Sequence, residues 1–305
     1  MSRLPSSRSF TVVLAASVCT LAACGESVTE VAPPDGSPLY SATPSTVSFF
    51  VQAHQDDWEL FMGDHAYHSV NDGGKTVFVY TTAGDAGRET GYWKAREEGA
   101  MEATRAIAAA GTWACANAQV GAHSILRCTY ANTVSYFLRL PDGSLNMGLG
   151  FPSTGYQSMT KLRAEGKPLV AVDGSTTFAT WADFRATIAR ILDTESKGAR
   201  SVVVNAPDAN PVENPKDNPD HWETGQVVLE AVRSHRGWRK NWFMDYATQY
   251  RPRNLSAAEY DHKRTAFLGY DDTVYRLVNA SNYRTPGPNG NLYDEWLWRS
   301  YLRTK

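Results

Sequence analysis

Short apolar runs that stop abruptly at polar clusters constrain this chain most. Val47–Ala53, Lys75–Thr82 and Ser201–Ala206 are such runs. They are rich in β-branched and aromatic residues, the signature of strands buried on both faces. Helical stretches lie between them. Asp57–Val70 ends at Asn71-Asp72-Gly73-Gly74, and Trp93–Ala110 is rich in Ala, Glu and Arg and stops at Gly111. Thr180–Lys197 has Gly198 as a C-cap candidate, and His221–Arg236 follows the third run. Strand and helix in alternation, joined by short loops, predict an α/β fold. The expected form is a Rossmann-like three-layer sandwich, a mostly parallel sheet with helices on both faces.

The remaining segments read less sharply. Trp113–Leu140 has a β pattern closed by the turn Pro141-Asp142-Gly143, while Gly148–Gly166 and Pro207–Pro219 read as loops. Toward the C-terminus, Asn241–Tyr250 reads as an edge strand and Leu255–Leu268 as a helix with Ser256 at its N-cap. Asn279–Asn291 reads as a loop, and Asp294–Arg303 as a short helix bearing Trp296 and Trp298. This last part is expected to cover the sheet rather than to close a pocket. The chain has neither a Gly-x-Gly-x-x-Gly dinucleotide loop nor a Gly-x-Ser-x-Gly nucleophile elbow.

Composition excludes some classes. Aromatic residues at 11% are too many for a disordered chain, and a net charge of -2 argues against a nucleic-acid binder. The N-terminus reads as an address. Arg3 and Arg8 precede the small, apolar stretch Thr11–Ala23, which is too short to span a bilayer. Leu21-Ala22-Ala23-Cys24 resembles the bacterial lipobox. That resemblance implies a signal peptide over 1–23 and a lipid on Cys24, with Gly25 and Glu26 favouring outer-membrane sorting. A plain signal peptide with a chance cysteine is the alternative. Thr29–Ser45, rich in Pro, Ser and Thr, reads as the end of a flexible tether over 24–45, ahead of a single domain over 46–305. The chain is expected outside the cytoplasm, touching a membrane through its lipid alone. Once Cys19 leaves with the signal and Cys24 carries lipid, Cys115 and Cys128 remain. They form a disulfide in an oxidising compartment or stay as two buried thiols.

Two polar clusters follow strands directly, where an open α/β sheet binds its ligands. The first is His54-Gln55-Asp56-Asp57-Trp58-Glu59, and the second is Asn218-Pro219-Asp220-His221-Trp222-Glu223-Thr224. Asp56 or Asp57 reads equally as a helix N-cap. His54, Asp57 and His221 together make a two-His, one-carboxylate set, the ligand type of catalytic zinc and of non-haem iron.

These residues carry a resemblance to the PIG-L/LmbE-like zinc-dependent N-deacetylases. Ala53-His54-Gln55-Asp56-Asp57-Trp58-Glu59 is similar to the family's Ala-His-Pro-Asp-Asp-x-Glu. Thr82-Ala83-Gly84-Asp85-Ala86-Gly87 is similar to its Gly-rich loop, and the Arg/Glu-rich helix from Arg96-Glu97-Glu98 follows. Leu140-Pro141-Asp142-Gly143 matches a further segment, and Asn218-Pro219-Asp220-His221 stands where the family has His-Pro-Asp-His. The resemblance spans Val47 to Gln249. It implies His54, Asp57 and His221 as ligands to Zn2+, or to another divalent metal such as Fe2+, and Asp56 as general base. It places Asp142 and either Arg88 or Arg96 in the substrate pocket.

The implied reaction is hydrolysis of an N-acetyl or other N-acyl amide on an amino sugar or glycoconjugate. A non-sugar N-acyl substrate and a non-catalytic carbohydrate-binding lipoprotein are the competing readings. Gln55 replaces the family's Pro, and Asn218 replaces a histidine that stabilises the oxyanion or supplies a proton. An amide cannot titrate. Either Asp56 carries the proton both ways, or one of His65, His68, His123, His235 and His262 substitutes, or activity is low. Asp220, the lost histidine's partner, is left to cap the following helix. Trp58, Trp222, Tyr92 and Trp93 stand near these motifs, as core or as sugar-facing walls.

Overall fold

The computed structural model describes residues 44–88, 91–281, 283–284 and 291–304. The signal, Cys24, nearly all of the tether and much of the Asn279–Asn291 loop lie outside the described residues. The elements run in order as β1 (Thr46–Gln52), α1 (Gly63–Asn71), β2 (Lys75–Thr82), α2 (Tyr92–Ile107), β3 (Ala114–Val120), β4 (His123–Tyr130) and β5 (Thr133–Leu140). They continue with α3 (Met159–Glu165), β6 (Leu169–Val170), β7 (Thr177–Phe178), α4 (Trp181–Glu195), β8 (Ser201–Pro207) and α5 (Pro219–Ala231). Last come β9 (Arg239–Met244), α6 (Ala257–Val278), α7 (Leu292–Leu297) and β10 (Tyr301–Thr304).

Eight strands form one sheet in the order β10-β9-β8-β1-β2-β5-β4-β3. The five from β9 to β5 are mutually parallel. β10 and the β4–β3 pair extend it antiparallel at its two sides. The apolar runs become its middle. Val47, Phe49 and Val51 of β1 face a core layer shared with Ile188 and Ile191 of α4 and Val227 and Val228 of α5. Phe50, pointing the other way, packs with Phe78, Ala103 of α2 and Phe267 of α6. Both faces of the sheet are therefore covered, which is why its central strands carry no polar alternation. β1 has β2 on one side and β8 on the other, so the strand order reverses at β1. Such a reversal opens a crevice at the carboxyl ends of the strands.

Cys115 and Cys128 sit opposite each other on β3 and β4 with their sulfurs bonded at 2.09 Å. The helix expected over Leu255–Leu268 runs on to Val278 as α6, and three further segments differ in kind from expectation. Gly148–Gly166 contains α3, a helix whose N-cap Ser158 accepts from the Lys161 N–H. Asn241–Tyr250 is not an edge strand. Its strand, β9, runs from Arg239 to Met244 inside the sheet, and 246–250 is a short helical turn. Asp294–Arg303 is a helix only to Leu297. The chain then straightens into β10, whose backbone pairs with β9. Among the described residues no helix is long and apolar enough to cross a membrane.

Candidate metal centre

Beyond β1 the chain turns sharply into a π-helical stretch, Trp58–Met62. The turn is closed by the His54 backbone N–H, which donates to Asp57 Oδ2 at 2.6 Å. It sets His54 Nδ1 at 3.3 Å from that same oxygen. His221 enters from the first turn of α5. Its Nε2 lies 3.2 Å from Asp57 Oδ1 and 3.2 Å from His54 Nδ1. Two imidazole nitrogens and one carboxylate thus converge, all within 4.8 Å of one another. Asp57 occupies an N-cap position but makes no side-chain cap, because its carboxylate is turned to the two histidines.

Each imidazole is gripped from behind. His221 Nδ1 is 2.9 Å from Asp217 Oδ1 and 3.2 Å from Asp245 Oδ2. His54 Nε2 is 3.5 Å from Asp220 Oδ2 and 3.7 Å from Asp142 Oδ2. Carboxylates behind a ligating histidine fix its tautomer and raise its basicity. Sequence reasoning missed Asp217 and Asp245. Asp217 stands one helical turn before His221, and Asp245 follows the end of a parallel strand, and those positions are the only signals the sequence offered.

Burial opposes charge on His54, yet Asp57, Asp220 and Asp142 push its pKa up to about 10. Burial also works against His221, and Asp217 and Asp57 override it and raise it well above the ordinary range. Asp57 is held low against its own burial by the two histidines. The surroundings therefore favour positive charge where the three donors meet, the charge that a divalent cation would bring. The N, N, O donor set and its outer carboxylates fit such an ion.

Asp56 looks elsewhere. Its Oδ1 accepts from Arg96 Nη2. Arg96 is buried, and its Nη1 donates to the Gly84 carbonyl at 3.0 Å. Gly84 has φ +56°, and a Cβ there would stand 2.6 Å from Gln55 Oε1 and 2.9 Å from Arg96 Cζ, so only glycine fits. Gln55 does more than replace a proline, since its Nε2 donates to the Thr82 carbonyl at 2.8 Å and ties the β1 and β2 ends together.

The second motif also needs correction. Asn218 caps α5, its Oδ1 accepting from the Asp220 N–H at 2.9 Å. Asp220 does not cap the helix. Its Oδ2 accepts from the Gly143 N–H at 2.7 Å while facing His54. A Cβ on Gly143 would meet Asp220 Oδ1 at 2.5 Å, so the loop approaches this closely only because residue 143 is glycine. Asp142 is placed by its N–H, which donates to Asp85 Oδ1 at 2.8 Å.

A cavity of about 210 Å³ opens beside Asp56, walled by Arg88, Tyr92, Phe267, Tyr270 and Asp271 among others. Of the two candidate arginines, Arg88 faces this space, stacked 4.2 Å over the Tyr92 ring, and Arg96 is committed to Asp56. The C-terminal part was expected only to cover the sheet. Its helix α6 instead supplies Phe267, Tyr270 and Asp271 to the cavity wall.

Of the four aromatics near the motifs, only Tyr92 lines the cavity. Trp58 is core, donating to the Tyr80 hydroxyl at 3.0 Å, and Trp222 latches to the Asn214 carbonyl at 3.0 Å. Trp93 lies beneath the Arg139 guanidinium. No other histidine substitutes at Asn218. His123 bonds Thr176 and Asp183, His235 bonds Asp193, and His65 packs on Phe243. His68 and His262 gather around Asp64.

No curated protein matches this chain. Among solved structures it is similar to the N,N'-diacetylchitobiose deacetylase of Pyrococcus horikoshii, at 15% identity and a TM-score of 0.44, over 77% of this chain and 74% of that one. It is also similar to the A40926 pseudoaglycone deacetylase Dbv21, at 16% identity and a TM-score of 0.45, over 83% and 89% of the two chains. The zinc-inhibited form of the teicoplanin deacetylase Orf2 gives 14% identity and a TM-score of 0.47, over 82% and 90%. The sequence profile of the PIG-L family, described as GlcNAc-PI de-N-acetylase, matches residues 49–232, which hold both polar clusters. That match spans well over half of the chain, and the chain belongs to the PIG-L family.

Proposed function

We propose that this chain is a zinc-dependent hydrolase that removes an N-acetyl or other N-acyl group from an amino sugar or glycoconjugate. The observation that carries the reading is the convergence of His54, Asp57 and His221, each imidazole backed by carboxylates, next to Asp56 and its cavity. A divalent ion held by those three residues supplies Lewis acidity to the amide carbonyl and lowers the pKa of water.

The chain's own groups do the rest. Asp56 takes a proton from the attacking water, and Arg96 fixes one carboxylate oxygen so that the other receives it. The water oxygen bonds to the acyl carbon and the C–N bond breaks. The proton passes from Asp56 to the departing amine, because Asn218 has none to give. Asn218 spends its Oδ1 on the helix cap, which leaves its amide N–H groups to donate to the developing oxyanion. The rings of Tyr92, Tyr270 and Phe267 suit the apolar face of a sugar, and Arg88 and Asp271 suit its hydroxyls. The proposed setting is extracytoplasmic, with the chain lipid-anchored through Cys24. The Cys115–Cys128 disulfide suits that setting.

Acetate release from N-acetylglucosamine conjugates tests the reading. Asp56→Ala is expected to lose about 10²–10⁴ in turnover while metal binding persists. Full activity in that variant, or in metal-stripped protein, overturns the mechanism. Cells expressing Cys24→Ala should release the protein from their membranes, and unchanged membrane retention removes the anchor.

A further inference from the structure

We propose a second divalent-metal site, formed by Asp64, His68 and His262 where α1 meets α6. Asp64 and His68 stand one turn apart on α1, and His262 reaches across from α6. His262 Nδ1 is 3.1 Å from Asp64 Oδ1, and His68 Nε2 is 3.6 Å from the same oxygen. All three donor atoms lie within 4.8 Å of one another. Donors held about 2.0–2.1 Å from a tetrahedral ion stand about 3.3–3.4 Å apart, so two of these separations already bracket the required spacing.

The donors are also pre-oriented. The His262 ring lies flat on Tyr67, with centroids 3.6 Å apart and planes within 7°, and His68 stands edge-on to His262 at 5.6 Å. Asp64 is buried, whereas the His68 side chain is 55% exposed. Solvent therefore reaches the remaining coordination position from the His68 side. Two imidazoles with one carboxylate select zinc-, nickel- or copper-like ions over magnesium or calcium. Glu259, one turn before His262, adds negative charge from α6, although its carboxylate also accepts from the Ser256 N–H.

This site is separate from the catalytic reading and takes a structural part. α1 continues the π-helical stretch that leaves Asp57, and α6 carries Phe267 and Tyr270 of the cavity wall. An ion here staples the element leading from the ligand loop to the element that faces substrate.

Zinc titration of the full, tag-free chain, by competition with a chromophoric chelator, tests it. Wild type is expected to take two equivalents. His68→Ala, which leaves the Asp64–His262 contact in place, should weaken one of them at least about tenfold. It should also abolish the part of the zinc-induced rise in melting temperature that His221→Ala retains. His68→Ala titrating as wild type overturns the site. Loss of all zinc binding in His68→Ala alone upholds this site and refutes the catalytic centre instead. Asp64→Asn, which keeps the shape of the contact, must reproduce the His68→Ala result, and failure to do so also overturns the proposal.

Discussion

Asp217 is one acid whose role depends wholly on what stands four residues later. Its Oδ1 holds His221 Nδ1, and its Oδ2 accepts from Asn214 Nδ2 at 2.5 Å. The Tyr246 N–H also reaches Oδ1, at 3.4 Å. Replacing it with asparagine keeps the shape but removes the charge behind the imidazole. Asp217→Asn is therefore expected to weaken metal retention about 10–100-fold, measured against a competing chelator. Retention equal to wild type would show that Asp245 alone suffices. His54, Asp57 and His221 were legible because they follow strand ends in a recognisable motif. Asp217 and Asp245 were not, because an isolated acid in a polar loop looks the same whether it faces water or a buried ring. Asn218 was legible as a substitution but not as a helix cap, since the helix starts earlier than the sequence pattern suggested.

The helices are tied to the sheet by buried ions as well as by apolar contacts. Glu195, the last residue of α4, pairs with Lys75 at the start of β2, with Arg127 of β4 at 2.9 Å, and with the Tyr136 hydroxyl at 2.5 Å. Burial pushes the Glu195 carboxyl up, but Lys75 and Arg127 outweigh it and hold its pKa below the usual 4.5. A carboxylate depressed in the folded state stabilises above its unfolded pKa, and that stability is lost as pH falls through the folded value. Glu195→Gln should thus cost about 3–5 kcal/mol near neutrality, where it leaves the buried Lys75 ammonium without a carboxylate and with only the residue-195 carbonyl to donate to. The gap to wild type should shrink below about pH 4.5. Urea denaturation at both pH values measures it, and an equal gap at each would refute the assignment. The central elements were legible because each buried strand is a continuous apolar run. β10 was not. Its four residues come three residues after a Trp-bearing helix, and only pairing with β9, far away in sequence, makes them a strand.

At the scale of the whole molecule, the family span stops at Val232, yet the second core layer does not. Phe243, Phe267, Tyr270, Val274, Trp296 and Leu297 all come from residues beyond it and pack with Phe50, Trp58 and Phe78. A chain ending at Val232 is expected to lack a cooperative thermal transition, read by near-ultraviolet circular dichroism. A sharp transition in that fragment would mean that the C-terminal part merely decorates a self-sufficient fold. The parallel middle of the sheet and the helical layers on its two faces were legible from alternation alone. The cavity was not, because its walls come from segments distant in sequence, from Asp56 through Tyr92 to α6 and Tyr293.

The carboxylates gathered at the centre have one more consequence. Asp56, Asp57, Asp142, Asp217, Asp220 and Asp245 are all buried within this one region. Among the described residues Arg96 is the only guanidinium or ammonium group paired with any of them. Beyond what Arg96 and the two imidazoles offset, acids packed so closely repel one another, and the unfolded chain, which keeps them apart in water, is spared that repulsion. A cation that binds the folded form and not the unfolded one shifts the folding equilibrium, by about 2.7 kcal/mol at a hundred times its dissociation constant. An ion held by His54, Asp57 and His221, as proposed above, would in this sense also be a folding ligand, and the folded fraction would then rise with the metal supplied.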